Sequence, residues 1–214
     1  SFSAGAGSTR SPFNPHPAET VSSGAARTAN RSTRSTGRIR RMSSSDGQLL
    51  DCVVTETGPE PEHAVIWLHG LGADGNDFAP IVPQLRSAGT RPVRFVFPHA
   101  PVRPVTINGG MAMRAWYDIL GVEIARDQDR AGIRQSLQHV DRLVEHQLAQ
   151  GIAPEKLLLA GFSQGGAVAL RYALARAGGA GGVIALSCYL LESGDLDGWL
   201  TEAGRNTPVF LAHG

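Results

Sequence analysis

Cysteine is almost missing from this chain: Cys52 and Cys188 are the two in 214 residues, far apart and without CxxC spacing. That excludes a disulfide framework and gives no thiolate metal site. It also suits a reducing compartment, and a cytoplasmic protein is expected. No run approaches the ~18 apolar residues that a membrane span requires. The best stretches, HAVIWLH and GGVIALSCYLL, have strand length, so no stable membrane insertion is expected. An excess of one charge is lacking as well, because 20 basic residues against 19 acidic ones leave +1. Such a balance offers no general pull on nucleic acid or on an anionic membrane. Lysine is nearly absent, with Lys156 alone against nineteen arginines, which hints at a GC-rich genome and carries no chemistry.

The even balance hides two kinds of sequence. Residues 1–41 hold seven arginines and one acid, Glu19, among Ser, Thr, Ala and Gly, with no apolar period. This stretch reads as a disordered leader, dispensable in the first reading and an organellar targeting segment or acidic-partner binder in the others. Residues 42–214 hold thirteen basic and eighteen acidic groups and read as one globular domain.

After Met42 the pattern is strand, loop, helix, repeated. LLDCVVTE (49–56) alternates as an edge strand would, HAVIWLH (63–69) and VRFVF (93–97) are β-rich runs, and a helix is expected over about 77–87. Ile133, Leu137, Val140, Val144 and Leu148 form a helical stripe closed by Gly151 and Pro154. KLLLAG, a helix over 164–176, VIALS, a short helix near 195–203 and PVFLAH complete the series. Apolar strands alternating with amphipathic helices predict an α/β fold, a mainly parallel sheet with helices on both faces.

GFSQG (161–165) fits GxSxG at the point where a buried strand must become a helix. A turn this tight forces its apex residue into a strained conformation and needs small neighbours, which Gly161 and Gly165 supply. Ser163 is then thrust out as a nucleophile, and the Gln164 N–H at the helix start can face a developing oxyanion. The plainer reading makes Ser163 a helix cap. A second motif, WLHGLGADG (67–75) directly after the strand AVIW, favours catalysis: acyl transfer needs two oxyanion donors, and Leu71 after His69 and Gly70 is the natural second one. His69 precedes Ser163, against the chain order of this architecture, and reads as orienting the loop.

AVIWLHGLGADGNDF, FPHAPVRPVTINGGMAMRAWYDI, GFSQGGAVAL and VIALSCYL follow one another as in the phospholipase/carboxylesterase family of α/β-hydrolases, which includes the acyl-protein thioesterases. The resemblance covers about residues 48–214, and PHAPVRPVTIN is far more specific than GxSxG. It implies an α/β-hydrolase fold and hydrolysis of carboxylic esters or acyl thioesters through an acyl-enzyme, on a small acyl ester or an S-acylated protein. It implies neither metal nor organic cofactor, nor nucleic acid, and leaves a homodimer open. Ser163 corresponds to the nucleophile, the Leu71 and Gln164 N–H groups to the oxyanion donors. Ile107, Met111, Met113 and Trp116 would line the acyl groove. The family's catalytic Asp and His fall after the strand matching PVFLAHG. The expectation is therefore a carboxyl-terminally truncated domain lacking its last strand and helix, and inert as a fragment. A lysophospholipid or lactone hydrolase on the same fold, and a non-catalytic binding protein, are the rival readings.

Overall fold

The described residues form nine strands, six of them from the apolar runs of the sequence: β1 (Arg38–Met42), β2 (Cys52–Glu56), β3 (His63–Leu68), β4 (Val93–Pro98), β5 (Val102–Val105), β6 (Met111–Arg114), β7 (Leu157–Phe162), β8 (Gly182–Leu186) and β9 (Val209–Ala212). The computed structural model describes residues 38–42, 49–85, 91–122 and 127–214. The leader's residues 1–37 lie outside them. Seven strands form one sheet in the order β1-β2-β4-β3-β7-β8-β9. From β4 to β9 every pairing is parallel, while β1 and β2 join antiparallel at one end. β5 and β6 make a separate antiparallel hairpin.

Side chains of period two divide the sheet's contacts between its faces. Ile66, Leu68, Val96, Leu159, Val183 and Ala185 pack with two helices, α2 (Arg130–Ala149) and α3 (Gln164–Ala175). Val53, Val65, Trp67, Phe95, Phe97 and Ala160 face the other way, against Phe78, Ala79 and Val82. Full burial of each large aliphatic side chain contributes roughly 1.5–3 kcal/mol, so this patterning drives the assembly. Asp129 caps α2 by accepting from the Gly132 N–H at 2.9 Å, and Gly151 at φ +88° ends it.

Several sequence expectations change. Arg38–Met42, assigned mostly to the disordered leader, form β1, because backbone pairing with β2 needs no apolar period and charged residues suit an edge. β2 is thereby flanked on both sides and is not the edge. Within the helix expected over about 77–87, the described residues form a 3-10 turn, Ala79–Ile81, followed by helix α1 (Val82–Leu85), and residues 86 and 87 lie outside them. Pro80 and Pro83 remove the N–H groups a longer helix would need. The carboxyl-terminal helix divides into a 3-10 turn and two four-residue helices, α4 (Leu196–Trp199) and α5 (Glu202–Arg205). β9 is the far edge, with Val209, Phe210 and Leu211 exposed.

Candidate active site

β7 ends on Phe162 and α3 begins on Gln164, so Ser163 alone makes the turn. Its N–H donates to Leu186 O of β8 at 2.8 Å, and its carbonyl accepts from Ala167 N at 3.0 Å. The backbone is thus shared between sheet and helix, and it sits at φ +53°, ψ −120°, a region that L residues avoid. The side chain makes no capping bond to the helix. A serine held in strain with its hydroxyl unused by the helix does not behave as a cap. Space explains the flanking glycines: a Cβ on Gly161 would fall on the Gly165 and Gly166 backbone, and one on Gly165 on the carbonyls of Leu68 and His69.

The loop after β3 runs beside the turn. A Cβ on Gly70 would lie 3.6 Å from Ser163 Cβ. In that loop Gly72 N donates to Arg114 O at 2.9 Å and Ala73 N to Gly70 O at 3.3 Å, while the Leu71 N–H just before them has no acceptor among the described residues. Gln164, first in α3, likewise has an N–H without an intrahelical acceptor. The geometry therefore brings together Ser163 and two amides with spare hydrogen-bonding capacity.

His69 is fully buried, and burial holds its imidazole below the ordinary histidine range. Ala100 N donates to Nε2 at 3.0 Å, which leaves the proton on Nδ1 to donate to Gly70 O at 2.7 Å. Both ring nitrogens serve backbone, so His69 orients the loop.

Trp116 is not a groove residue. It has no exposed surface, and its indole Nε1 donates to His69 O at 2.9 Å. Its ring is needed in the core, and its polar edge finds a carbonyl, as buried tryptophan requires. The Gln164 carboxamide, which sequence reasoning missed, accepts from Trp116 N at 2.8 Å and donates to Tyr117 O at 2.7 Å. Its position in GxSxG carries no side-chain requirement, so no signal pointed to it. Ile107 and Met111 are exposed on the β5–β6 hairpin. Met113 lies nearer the site, its Sδ 3.8 Å from where a Gly72 Cβ would stand. Phe162, 41% exposed beside Ser163, and Phe78, with ring centroids 6.1 Å apart, add apolar surface that the sequence reading did not name. Among the described residues no group of His, Cys, Asp or Glu could hold a metal.

The family model for phospholipase/carboxylesterase matches residues 50–214. The chain belongs to the phospholipase/carboxylesterase family. Acyl-protein thioesterase 1 of Emericella nidulans is 40% identical over 160 residues, covering 70% of this chain and 67% of that protein. Acyl-protein thioesterase 1 of Neurospora crassa is 39% identical over 158 residues, covering 70% of this chain and 64% of that protein. Among solved structures, Arabidopsis thaliana SOBER1 superposes with a TM-score of 0.66 at 30% identity, covering 71% of this chain and 73% of that one. Zea mays acyl-protein thioesterase 2 gives 0.63 at 26%, with 75% of each chain covered. These neighbours share the α/β-hydrolase fold.

Proposed function

We propose that the protein is a serine hydrolase that cleaves carboxylic esters or acyl thioesters, S-acylated proteins among them. The observation that carries this reading is Ser163 at φ +53°, between two sterically required glycines and making no capping bond. The names of the thioesterase relatives support the substrate class. In this reading a histidine base takes the Ser163 proton, and the hydroxyl oxygen attacks the acyl carbonyl. The oxyanion is held by the Leu71 and Gln164 N–H groups. The alcohol or thiol then leaves, and water releases the acid from the acyl-enzyme. Met113, Phe162 and Phe78 are proposed as the apolar surface beside the reacting carbonyl.

The test is hydrolysis of p-nitrophenyl esters of graded chain length, and of an S-palmitoyl peptide, by the full-length gene product. Ser163→Ala should lower turnover by ~10⁶. Undiminished hydrolysis in that variant ends the proposal. A non-catalytic binding role is the rival reading. A salt-dependent gel shift that is lost on deleting residues 1–37, which leaves β1 in place, would favour it.

A further inference from the structure

The two proposed oxyanion donors sit on different elements, Leu71 on the loop after β3 and Gln164 at the start of α3. An oxyanion hole works only when its donors are held at one separation, within about 0.5 Å of the productive geometry. Something must set that separation, and the segment Arg114–Tyr117 touches both sides. On the loop side it brackets Leu71: the Trp116 indole N–H holds His69 O at 2.9 Å, and Arg114 O receives Gly72 N–H at 2.9 Å. On the helix side it holds Gln164 by its carboxamide, through Trp116 N at 2.8 Å and Tyr117 O at 2.7 Å. Trp116 itself is fixed from behind, because the Ser136 hydroxyl of α2 donates to its carbonyl. His69, Trp116 and Gln164 expose 1%, 0% and 2% of their surface, respectively. Water therefore cannot stand in for a bond that is removed.

We propose that Trp116 is a positioning residue, a spacer whose indole N–H and backbone N–H set the distance between the Leu71 and Gln164 amides. The role rests on the hydrolase reading above. It differs from a plain core role in a measurable way: core packing holds the domain together, whereas a spacer acts on the transition state. Trp116→Phe keeps an aromatic ring in the core and deletes the indole donor together with part of the ring volume, whose loss is read separately as a lower melting temperature. Displacement of a reacting group by about 1 Å costs ~10² in rate, and loss of a whole oxyanion donor ~10² to 10³. A loop relaxed by one missing bond is thus expected to lower kcat by ~10- to 100-fold, with KM for a neutral ester almost unchanged.

The experiment uses the full-length gene product with p-nitrophenyl octanoate, its active sites counted by a fluorophosphonate titrant. The second readout is inhibition by an octyl trifluoromethyl ketone, whose tetrahedral adduct puts a negative oxygen in the hole. Support consists of a fall in kcat per titrated site, an unchanged KM, and ketone binding weakened in proportion to kcat/KM. A lower melting temperature with wild-type kcat per site overturns the spacer and leaves Trp116 as core. If Trp116→Phe fails to fold, Gln164→Met decides instead: it cuts the carboxamide bonds while keeping the backbone donor, and the same pattern is expected. Ser163→Ala, run alongside, separates the two levels. Retained turnover there removes the hydrolase reading and the spacer together. Abolished turnover, with Trp116→Phe at the wild-type rate, removes the spacer alone.

Discussion

Replacing Ser163 by alanine and by glycine separates the two roles that a serine at a strand-to-helix turn can play, and stability is the readout. If Ser163 were a helix cap, alanine would cost about 1 kcal/mol and glycine only a few tenths, and neither variant would exceed wild type. The structure points elsewhere. The hydroxyl makes no capping bond, so alanine at this position removes nothing that holds the fold and should melt within about 0.5 kcal/mol of wild type. The backbone at φ +53°, ψ −120° strains any residue with a Cβ, by roughly 1–3 kcal/mol. Glycine relieves that strain and gives back roughly 0.5–1 kcal/mol in chain entropy. The net gain is about 1 kcal/mol, or about 2–4 °C in Tm for a domain of this size. The assay is thermal unfolding of the three proteins, repeated in urea to check that the m-value is constant. Ser163→Gly should be the most stable and wholly inactive, as expected where strain serves activity. Alanine about 1 kcal/mol below wild type, with glycine no better than wild type, would refute the reasoning.

Other elements give sharper local tests. Arg171 is 8% exposed, bonds Glu192 at 2.9 Å and lies 3.8 Å from the Trp199 ring centroid. Arg171→Ala strands that carboxylate and empties the site, and should destabilise by about 3 kcal/mol; a change under about 0.5 kcal/mol in urea unfolding would contradict this. Burial lowers His69, and burial followed by Arg142 and Arg103 lowers His139, below the ordinary 6.5. The unfolded chain therefore binds protons first, so the stability from burying these rings uncharged is intact above pH 6.5 and falls as pH drops from there toward the depressed folded values. A Tm that is flat from pH 7.5 to about 5 would be the wrong result. Burial and then Asp51 push the Cys52 thiol up to about 12, whereas Cys188 is only partly buried. Iodoacetamide at pH 8 should label Cys188 at most in the native protein and both thiols in guanidinium, as read by intact mass.

The parts of the fold that could be read beforehand are those where one periodicity dominates. β3, β4, β7 and β8 are apolar on both faces of the sheet, and the stripe from Ile133 to Leu148 has a single helical period. The strands that escaped notice lack such a signal. β1 is an arginine-rich edge whose pairing is all backbone. β5 and β6 have four residues each, β5 contains Pro104, and the two are joined through Gly109 at φ +66° and Gly110 at φ +78°. In the site, the tight turn at Ser163 was legible because geometry limits its neighbours to glycine. The link from Gln164 to Trp116 was not, because it joins residues 48 positions apart and no local pattern records it. Tryptophan suits either a groove or a core, and only the burial of Trp116 decides between them.

The central claim is that the Ser163 hydroxyl, on a half-buried residue, is a nucleophile beside two waiting amides. The most direct measurement treats the full-length gene product with a fluorophosphonate, digests it and maps the adduct by mass spectrometry. One phosphonyl group on the peptide carrying GFSQG, lost in Ser163→Ala, is the expected result. Labelling elsewhere, or equal labelling of the alanine variant, would contradict the account.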